Sequence, residues 1–326
     1  MTPAARIEIA GKAADPRLID RLVSLTVTDE AGTKADTFEL VVDARGGLSV
    51  PPIGAEVRVW LGYEPSPVYR GRFRITEYER SGPLQTVSIS AHAADLSSKI
   101  RAPKMRSFHE TTVKAIVEDV AGANGLTAIV DEEIGAHEVE HIDQQGESDV
   151  AFLSRLAKRH GATFKLGAGK VLFAAKGSRS LPDGQAKQAV TIRPEDVSRW
   201  SMRVAKRGEY DGASATYIDT VTGKRKTAKA GSGERLHRDR RLYGSKAEAA
   251  AAAAAKLGEQ NRGERTGDVE GPGMPTLYAE ALVTLKGFDA DVDGTFLAKS
   301  VSHSYSSSGY TTSVSLETLR APAGEG

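Results

Sequence analysis

The chain has 326 residues, of which 40% are hydrophobic and 27% are charged, and its formal net charge at pH 7 is +1. This length predicts two or three domains, and the near-neutral charge excludes a general attraction to nucleic acid or to an anionic membrane. The absence of cysteine excludes disulfides, thiol nucleophiles and cysteine-based metal sites. The apolar runs are too short for a signal peptide or a membrane span, so we expect a protein folded in the cytoplasm without membrane insertion.

Residues 1–99 alternate between apolar and polar side chains with a period of two, as half-buried strands do. The apolar positions of these runs include Val23, Leu25 and Val27, then Phe38, Leu40 and Val42, then Val57, Val59 and Leu61, then Val87, Ile89 and Ala91. Turns rich in glycine and proline separate the runs. Several short antiparallel strands without an intervening helix predict a small β-barrel or sandwich.

Residues 100–188 change to a mixed pattern. Apolar residues recur at helical spacing from Val113 to Ala121. A second helix is predicted from Ser148, which suits the N-cap, to Gly161, which suits a left-handed C-terminal cap. A hairpin over residues 162–173 follows, so this segment predicts a small α+β domain.

Residues 189–326 return to strands, the last three centred on Val283, Leu297 to Val301 and Thr312 to Leu316. Between them, Ser245 and Glu248 have the spacing of a capping box at the start of an alanine-rich helix over residues 245–258. This third segment predicts a C-terminal β-domain that carries one helix.

The segment His137-Glu138-Val139-Glu140-His141 matches the zinc-peptidase pattern His-Glu-x-x-His, which needs both imidazoles on one helical face. His137, Val139 and His141 instead alternate with their neighbours as in a strand, and no third ligand follows at the expected spacing. We interpret the segment as an exposed strand without a metal.

Asp289, Asp291, Asp293 and Gly294 match the first half of an EF-hand calcium loop. The twelfth position, which should supply a bidentate glutamate, is Ser300, and no helix precedes the loop. A polar hairpin turn is the better interpretation.

A basic stretch runs from Lys224 to Arg241. Nucleic-acid recognition would need interleaved aromatic residues or a helix aimed at a groove, and Glu234 and Asp239 dilute the charge. We interpret this stretch as a solvated loop or a polar subunit contact, with no specific nucleic-acid binding.

The predicted helix at 148–161 and its approach resemble the hallmark of the late control D family of phage tail hub proteins, and the hub region of VgrG spike proteins of type VI secretion systems is similar. The residues that carry this resemblance are Gln145, Glu147, Ser148, Asp149, Phe152, Leu153, Arg155, Leu156 and Gly161. Residues 53–63 and 69–75 resemble the first barrel of that family. Its C-terminal pattern is matched at Gly287, Gly294, His303, Gly309, Tyr310 and Thr312.

The resemblance implies two tube-type antiparallel β-barrels, residues 1–99 and 189–326, flanking an α+β middle domain at 100–188. It further implies a homotrimeric baseplate hub that adapts a hexameric tail tube to a trimeric spike formed by a separate chain, and that contacts other baseplate proteins. The particle would be a virion or a phage-tail-like particle assembled in the host cytoplasm. The motif residues would be structural, with no catalytic residue, cofactor or metal.

Two alternatives stay open at this point. One is a tail enzyme, either a zinc peptidase built on His137 and His141 or a hydrolase of the cell wall, for which no carboxylate pair is singled out. The other is a DNA-binding regulator, which salt-dependent duplex binding would reveal.

Overall fold

The computed structural model describes residues 1–32, 35–47, 49–93, 98–167, 170–175, 189–205, 210–219, 222–231, 234–261 and 265–319. The strands are β1 Pro3–Ile9, β2 Lys12–Ala13, β3 Leu22–Glu30, β4 Thr37–Asp43, β5 Glu56–Tyr63, β6 Val68–Ser81, β7 Thr86–Ala93, β8 Pro103–Thr112, β9 Thr127–Val130, β10 Glu138–Ser148, β11 Ala162–Gly167, β12 Lys170–Ala175, β13 Val190–Ile192, β14 Arg199–Val204, β15 Gly212–Ile218, β16 Arg225–Gly231, β17 Leu236–Tyr243, β18 Arg265–Pro272, β19 Leu282–Leu285, β20 Gly294–Ser306 and β21 Gly309–Thr318. The helices are α1 Pro16–Asp20, α2 Ser98–Arg101, α3 Val113–Ala123, α4 Glu132–Gly135, α5 Asp149–His160 and α6 Lys246–Asn261. The chain is therefore mainly β with α+β content, as the sequence predicts.

The chain forms two compact units. Unit 1 comprises Met1–Asp95, Ala189–Met202 and Gly267–Leu316. Unit 2 comprises Leu96–Gln188, Arg203–Thr266 and Glu317–Gly326. Both ends of the chain thus supply strands to unit 1.

In unit 1, thirteen strands of the described residues form one sheet, with the order β14-β18-β21-β20-β3-β4-β7-β6-β5-β1-β2 and with β19 and β13 attached through β20. The N-terminal strands β1–β7 meet the C-terminal strands where β3 pairs antiparallel with β20, from Ser24↔Ser306 to Glu30↔Ser300. Side-chain hydrogen bonds reinforce this pairing, at 3.1 Å between Thr26 and Ser304 and at 2.8 Å between Thr28 and Ser302.

Unit 1 contains two hydrophobic cores, one for each set of strands. The predicted period-two positions of β3 to β7 fill the first core, which includes Leu25, Leu40, Val59, Phe73 and Ile89. The second core is formed by the C-terminal strands and includes Val283, Phe296, Val301, Val314 and Leu316. Each such side chain contributes about 1.5–3 kcal/mol by leaving water.

Val23 is an exception to the predicted alternation. We placed it on the same face as Leu25 and Val27, yet its side chain is exposed. The register of β3 against β4 shifts between Leu22 and Ser24, and such a bulge turns the extra residue out of the alternating pattern.

Unit 2 contains three small sheets. β8 and β10 form an antiparallel pair, β9 and β11 flank β12, and β16 and β17 flank β15. Helices α3 and α5 contribute to one core with residues of β10 to β12. Helix α6 packs its alanines against Ala213, Ala215 and Tyr217 of β15.

The alanine-rich helix is therefore present, and it lies in unit 2. The boundary predicted at 188/189 follows residues 176–188, which lie outside the described residues. The division into domains 1–99, 100–188 and 189–326 stays a prediction. Within the described part of the chain, no helix combines the length and the apolar character that crossing a bilayer requires.

Candidate functional site

Helix α5 has the two caps that its sequence predicts. The Ser148 hydroxyl accepts a hydrogen bond of 3.2 Å from the amide of Ala151, and Ser148 itself is extended. At the other end, Gly161 is left-handed with φ 66° and its amide bonds the carbonyl of Ala157. A glycine suits this position because side chains disfavour a positive φ. The helix is thus fixed at both ends by residues of the hub-like motif.

Asp149, at the first position of α5, is completely buried. Its carboxylate accepts hydrogen bonds from Lys104 at 2.5 Å, from Asn124 at 2.7 Å and from Gln144 at 3.0 Å. It also forms an ion pair with Arg106. Lys104 and Arg106 lie on β8, Gln144 lies on β10, and Asn124 is the C-cap of α3. One carboxylate therefore joins three elements to the start of α5.

Burial by itself would raise the pKa of Asp149, because it removes water from the charged form. Hydrogen bonds from Lys104, Asn124 and Gln144, together with the charge of Arg106, outweigh this effect and hold the pKa below its usual range. The carboxylate is thus ionised and fully bonded, which is the state of a structural anion and not of a proton donor.

Glu147 and Arg155 form a second link between β10 and α5. The Nε of Arg155 donates to Glu147 at 3.1 Å, and its Nη2 donates to Glu147 and to the carbonyl of Asp143 at 2.6 Å. Because the planar guanidinium reaches both acceptors at once, it fixes the angle at which the strand enters the helix. Gln145 points elsewhere and donates to the carboxylate of Asp143 at 3.2 Å.

Phe152, Leu153 and Leu156 form the buried face of α5. The ring of Phe152 stacks on that of Phe108 with 5.6 Å between centroids. This face is the apolar stripe that the sequence predicts, and it contributes packing rather than chemistry.

The C-terminal motif residues His303, Tyr310 and Thr312 come together in unit 1 and are all buried. The Nε2 of His303 lies 3.1 Å from the carbonyl of Leu277, which can only accept, so Nε2 carries the proton. Its Nδ1 then accepts from the hydroxyls of Tyr310 at 2.7 Å and Thr312 at 3.0 Å. Burial and the nearby charge of Arg70 lower the pKa of His303 to about 4, so the imidazole is neutral at physiological pH.

Two residues of the N-terminal strands reach this cluster. Arg70 of β6 donates to the carbonyl of Pro275 at 2.6 Å and to the hydroxyl of Tyr310 at 3.3 Å. Tyr63 of β5 donates to the carbonyl of Gly273 at 3.1 Å, and its ring meets that of Tyr310 edge-on. The cluster therefore joins the two sets of strands of unit 1 away from the β3–β20 pairing.

The three motif glycines lie at turns of the C-terminal strands. Gly287 has φ 88° and its amide donates to Asp293 at 2.9 Å, which closes the polar turn predicted between β19 and β20. Gly294 begins β20 with φ 149°, and Gly309 begins β21 with φ 120°. The carboxylate of Asp293 accepts hydrogen bonds from the amides of Gly287 and Phe288 within the turn. This agrees with the interpretation of the calcium-like sequence as a hairpin turn.

The zinc-peptidase geometry is not formed. β10 starts at Glu138, so the segment from His137 to His141 is extended instead of helical. The Nδ1 of His137 lies 3.1 Å from that of His160, whereas the Nδ1 of His141 lies 3.0 Å from that of His109. In the described residues, no three His, Asp or Glu side chains form a group that could hold a metal ion.

Sequence reasoning missed the partners of these motif residues. Lys104, Arg106 and Phe108 alternate along β8, and that period of two is the signal that all three point inward. Tyr63 and Arg70 lie in the stretches 53–63 and 69–75 that carried part of the resemblance, although nothing local singles them out.

Comparison with known proteins gives one consistent result. A sequence model of the family described as phage tail baseplate hub (GPD) matches residues 19–309. A probable baseplate hub protein of Escherichia phage 186 is 31% identical, over 97% of this chain and 93% of that protein. The solved tail protein of Neisseria meningitidis MC58 superposes with a TM-score of 0.72 at 14% identity, over 97% of each chain. A component of the type VI secretion system of E. coli has a TM-score of 0.59 at 12% identity, over 93% of this chain and 74% of the other.

Proposed function

Because the chain belongs to the phage tail baseplate hub family and has its structural role in the virion tail, we propose that three copies form a ring that adapts a hexameric tail tube to a trimeric spike. In this role the protein performs no reaction. It anchors the spike, matches two symmetries and transmits force between the tube and the spike.

The observation that carries this proposal is the pair of hydrophobic cores in unit 1. Each chain offers two sets of strands that share one sheet through β3 and β20. Three chains arranged around a threefold axis would offer six such sets, which is the number that a hexameric tube presents. A closed ring with cyclic symmetry also limits the assembly to a defined size and protects strand edges.

The motif residues support a mechanical role in this proposal. Asp149, Arg155 and Glu147 fix α5 against β8 and β10 by ion pairs and hydrogen bonds. His303, Tyr310 and Thr312 hold the two sets of strands together through a neutral imidazole. Rigid links of this kind suit a part that carries load.

The expected partners are a second and third copy of the chain, the trimeric spike protein, the hexameric tube protein and other baseplate proteins. The zinc-peptidase form of the tail-enzyme alternative is not supported, since β10 lacks the helical spacing that such an enzyme needs.

The proposal is tested on the full chain produced together with its cognate spike protein. We expect light scattering to give three hub chains for each spike trimer, and electron microscopy to show a ring with six similar lobes. The ring should then bind the tube protein at one end. A complex that contains two or six hub chains, or a ring that lacks the sixfold repeat, would contradict the proposal.

A further inference from the structure

The outward face of the β8–β10 pair carries a ladder of polar side chains that takes no part in the links described above. His109 lies opposite His141 in the strand register, and Ser107 lies opposite Asp143. The Nδ1 atoms of the two histidines are 3.0 Å apart, and their rings are 4.5 Å apart between centroids. Both imidazoles are exposed to solvent.

Asp143 fixes the proton of His141. The Nε2 of His141 lies 3.2 Å from Oδ2 of Asp143. The same carboxylate accepts from the hydroxyl of Ser107 at 2.7 Å and from the amide of Gln145 at 3.2 Å. A carboxylate oxygen accepts hydrogen bonds, so the contact places the proton of His141 on Nε2 and leaves a lone pair on its Nδ1.

That lone pair points at the Nδ1 of His109. A carboxylate that orients a histidine so that its other nitrogen faces a metal is the usual outer arrangement of metal-binding histidines. Ser107 and Gln145 in turn hold the carboxylate of Asp143 by hydrogen bonds, so Asp143 and His141 are both fixed in place.

We propose that the Nδ1 atoms of His109 and His141 together bind one divalent transition-metal ion of the Ni²⁺ or Cu²⁺ class. With metal–nitrogen bonds of about 2.0–2.1 Å, a separation of 3.0 Å between the nitrogens corresponds to an angle of about 94° at the ion. Square-planar and octahedral ions require angles near this value, whereas a tetrahedral Zn²⁺ would need the imidazoles to move apart.

Water completes the coordination. Within the described ranges, no third His, Asp or Glu side chain joins this pair in a group that could hold a metal. When the ion binds, His109 takes the tautomer that is protonated at Nε2, which frees the lone pair of its Nδ1. The site differs from the zinc-peptidase pattern, because His137 belongs to the other pair, with the buried His160.

The proposal is tested by titrating the full-length protein with Ni²⁺ and following the heat of binding. We expect one ion per chain, and a loss of at least about tenfold in affinity in His109→Ala and in His141→Ala. Asp143→Asn should weaken binding by about 10–100-fold, as changes in the outer carboxylate typically do. The matched control is His92→Ala, which removes another exposed histidine, on β7, and should bind as the parent does.

A second readout separates a lost ligand from a lost fold. Cu²⁺ bound to the parent should give an electron paramagnetic resonance spectrum with coupling to two nitrogens, and each single histidine variant should keep at most one. Circular dichroism of the variants without metal should match that of the parent, since both side chains are exposed. Absence of saturable binding on the order of 1 mM or tighter, or unchanged affinity in either histidine variant or in Asp143→Asn, would overturn the proposal.

Discussion

The ring of Tyr310 lies directly against Gly273: a β-carbon added to this glycine would be 1.9 Å from Cδ1 of the tyrosine. The backbone cannot move aside easily, because the amide of Gly273 donates to the carbonyl of Tyr310 at 2.9 Å. Tyr63 also holds the carbonyl of Gly273. Glycine is therefore required here by the closeness of an aromatic ring.

We expect Gly273→Ala to lower the free energy of unfolding by about 1–3 kcal/mol or more, since the added methyl group must displace the ring of Tyr310. Urea unfolding, followed by fluorescence, measures the change. The matched control is Gly122→Ala on the exposed side of α3, where a β-carbon meets nothing within 4 Å. Alanine there should stabilise by a few tenths to about 1 kcal/mol. If Gly273→Ala is no less stable than Gly122→Ala, the ring of Tyr310 moves aside more easily than its contacts indicate.

Asp149→Asn should be among the most damaging single changes in unit 2. An amide has the same shape, but it removes the buried counter-ion of Lys104 and leaves Arg106 with only the exposed Asp119. Breaking a buried pair typically costs about 3–5 kcal/mol, and the partial exposure of both cations argues for the lower end. Chemical unfolding at pH 7 measures this loss.

Asp119→Asn is the control for that change. Asp119 also pairs with Arg106, at 3.4 Å, but its side chain is 60% exposed. A pair so open to solvent contributes at most about 1 kcal/mol. If the two variants lose the same free energy of unfolding, the burial of Asp149 does not make its ion pairs more important than the exposed pair of Asp119.

His303 should make unit 1 sensitive to acid. Its pKa is lowered to about 4 in the folded protein, whereas an unfolded histidine has a pKa of about 6.5. The stabilisation is therefore complete above pH 6.5, where both states are neutral. It declines as the pH falls below 6.5, because the unfolded chain binds the proton first, and it is lost once the pH has fallen through about 4. Between pH 7.5 and 5 the loss from this residue is about 2 kcal/mol.

His303→Gln should remove that part of the pH dependence while retaining a donor for the carbonyl of Leu277. The measurement is the free energy of unfolding of parent and variant at several pH values between 5 and 7.5. We expect the two curves to converge as the pH falls. Parallel curves would mean that His303 does not titrate differently in the folded and unfolded states.

Local signals explain why α5 could be predicted closely. Its cap Ser148, its apolar stripe and its terminal Gly161 all act within a few turns of one helix. The strands β3 to β7 were predictable for the same reason, because alternation is a property of neighbours in sequence. Val23 escaped the rule because its orientation is set by a bulge that depends on the pairing of β3 with β4.

Tertiary partners could not be predicted in this way. Arg70 and Pro275 are 205 positions apart, and no periodicity connects them. The histidine at 141 carried a motif that suggested a helical partner four residues away, yet its neighbour is His109 on an adjacent strand. The sequence therefore predicted which residues belong to the candidate site. It could not predict their hydrogen-bond partners, because these depend on which strands the fold brings together.

The pairing of β3 with β20 cannot form until the ribosome has synthesised nearly the whole chain. Thr26 and Ser304, which bond across it, are 278 positions apart. At about 5–20 residues per second, a ribosome needs about 14 to 56 s to travel from one to the other. During that interval one edge of β3 has no native partner, and a bare strand edge is a template for pairing with other chains. The length of this exposure is set by the speed of translation, and it grows whenever translation slows.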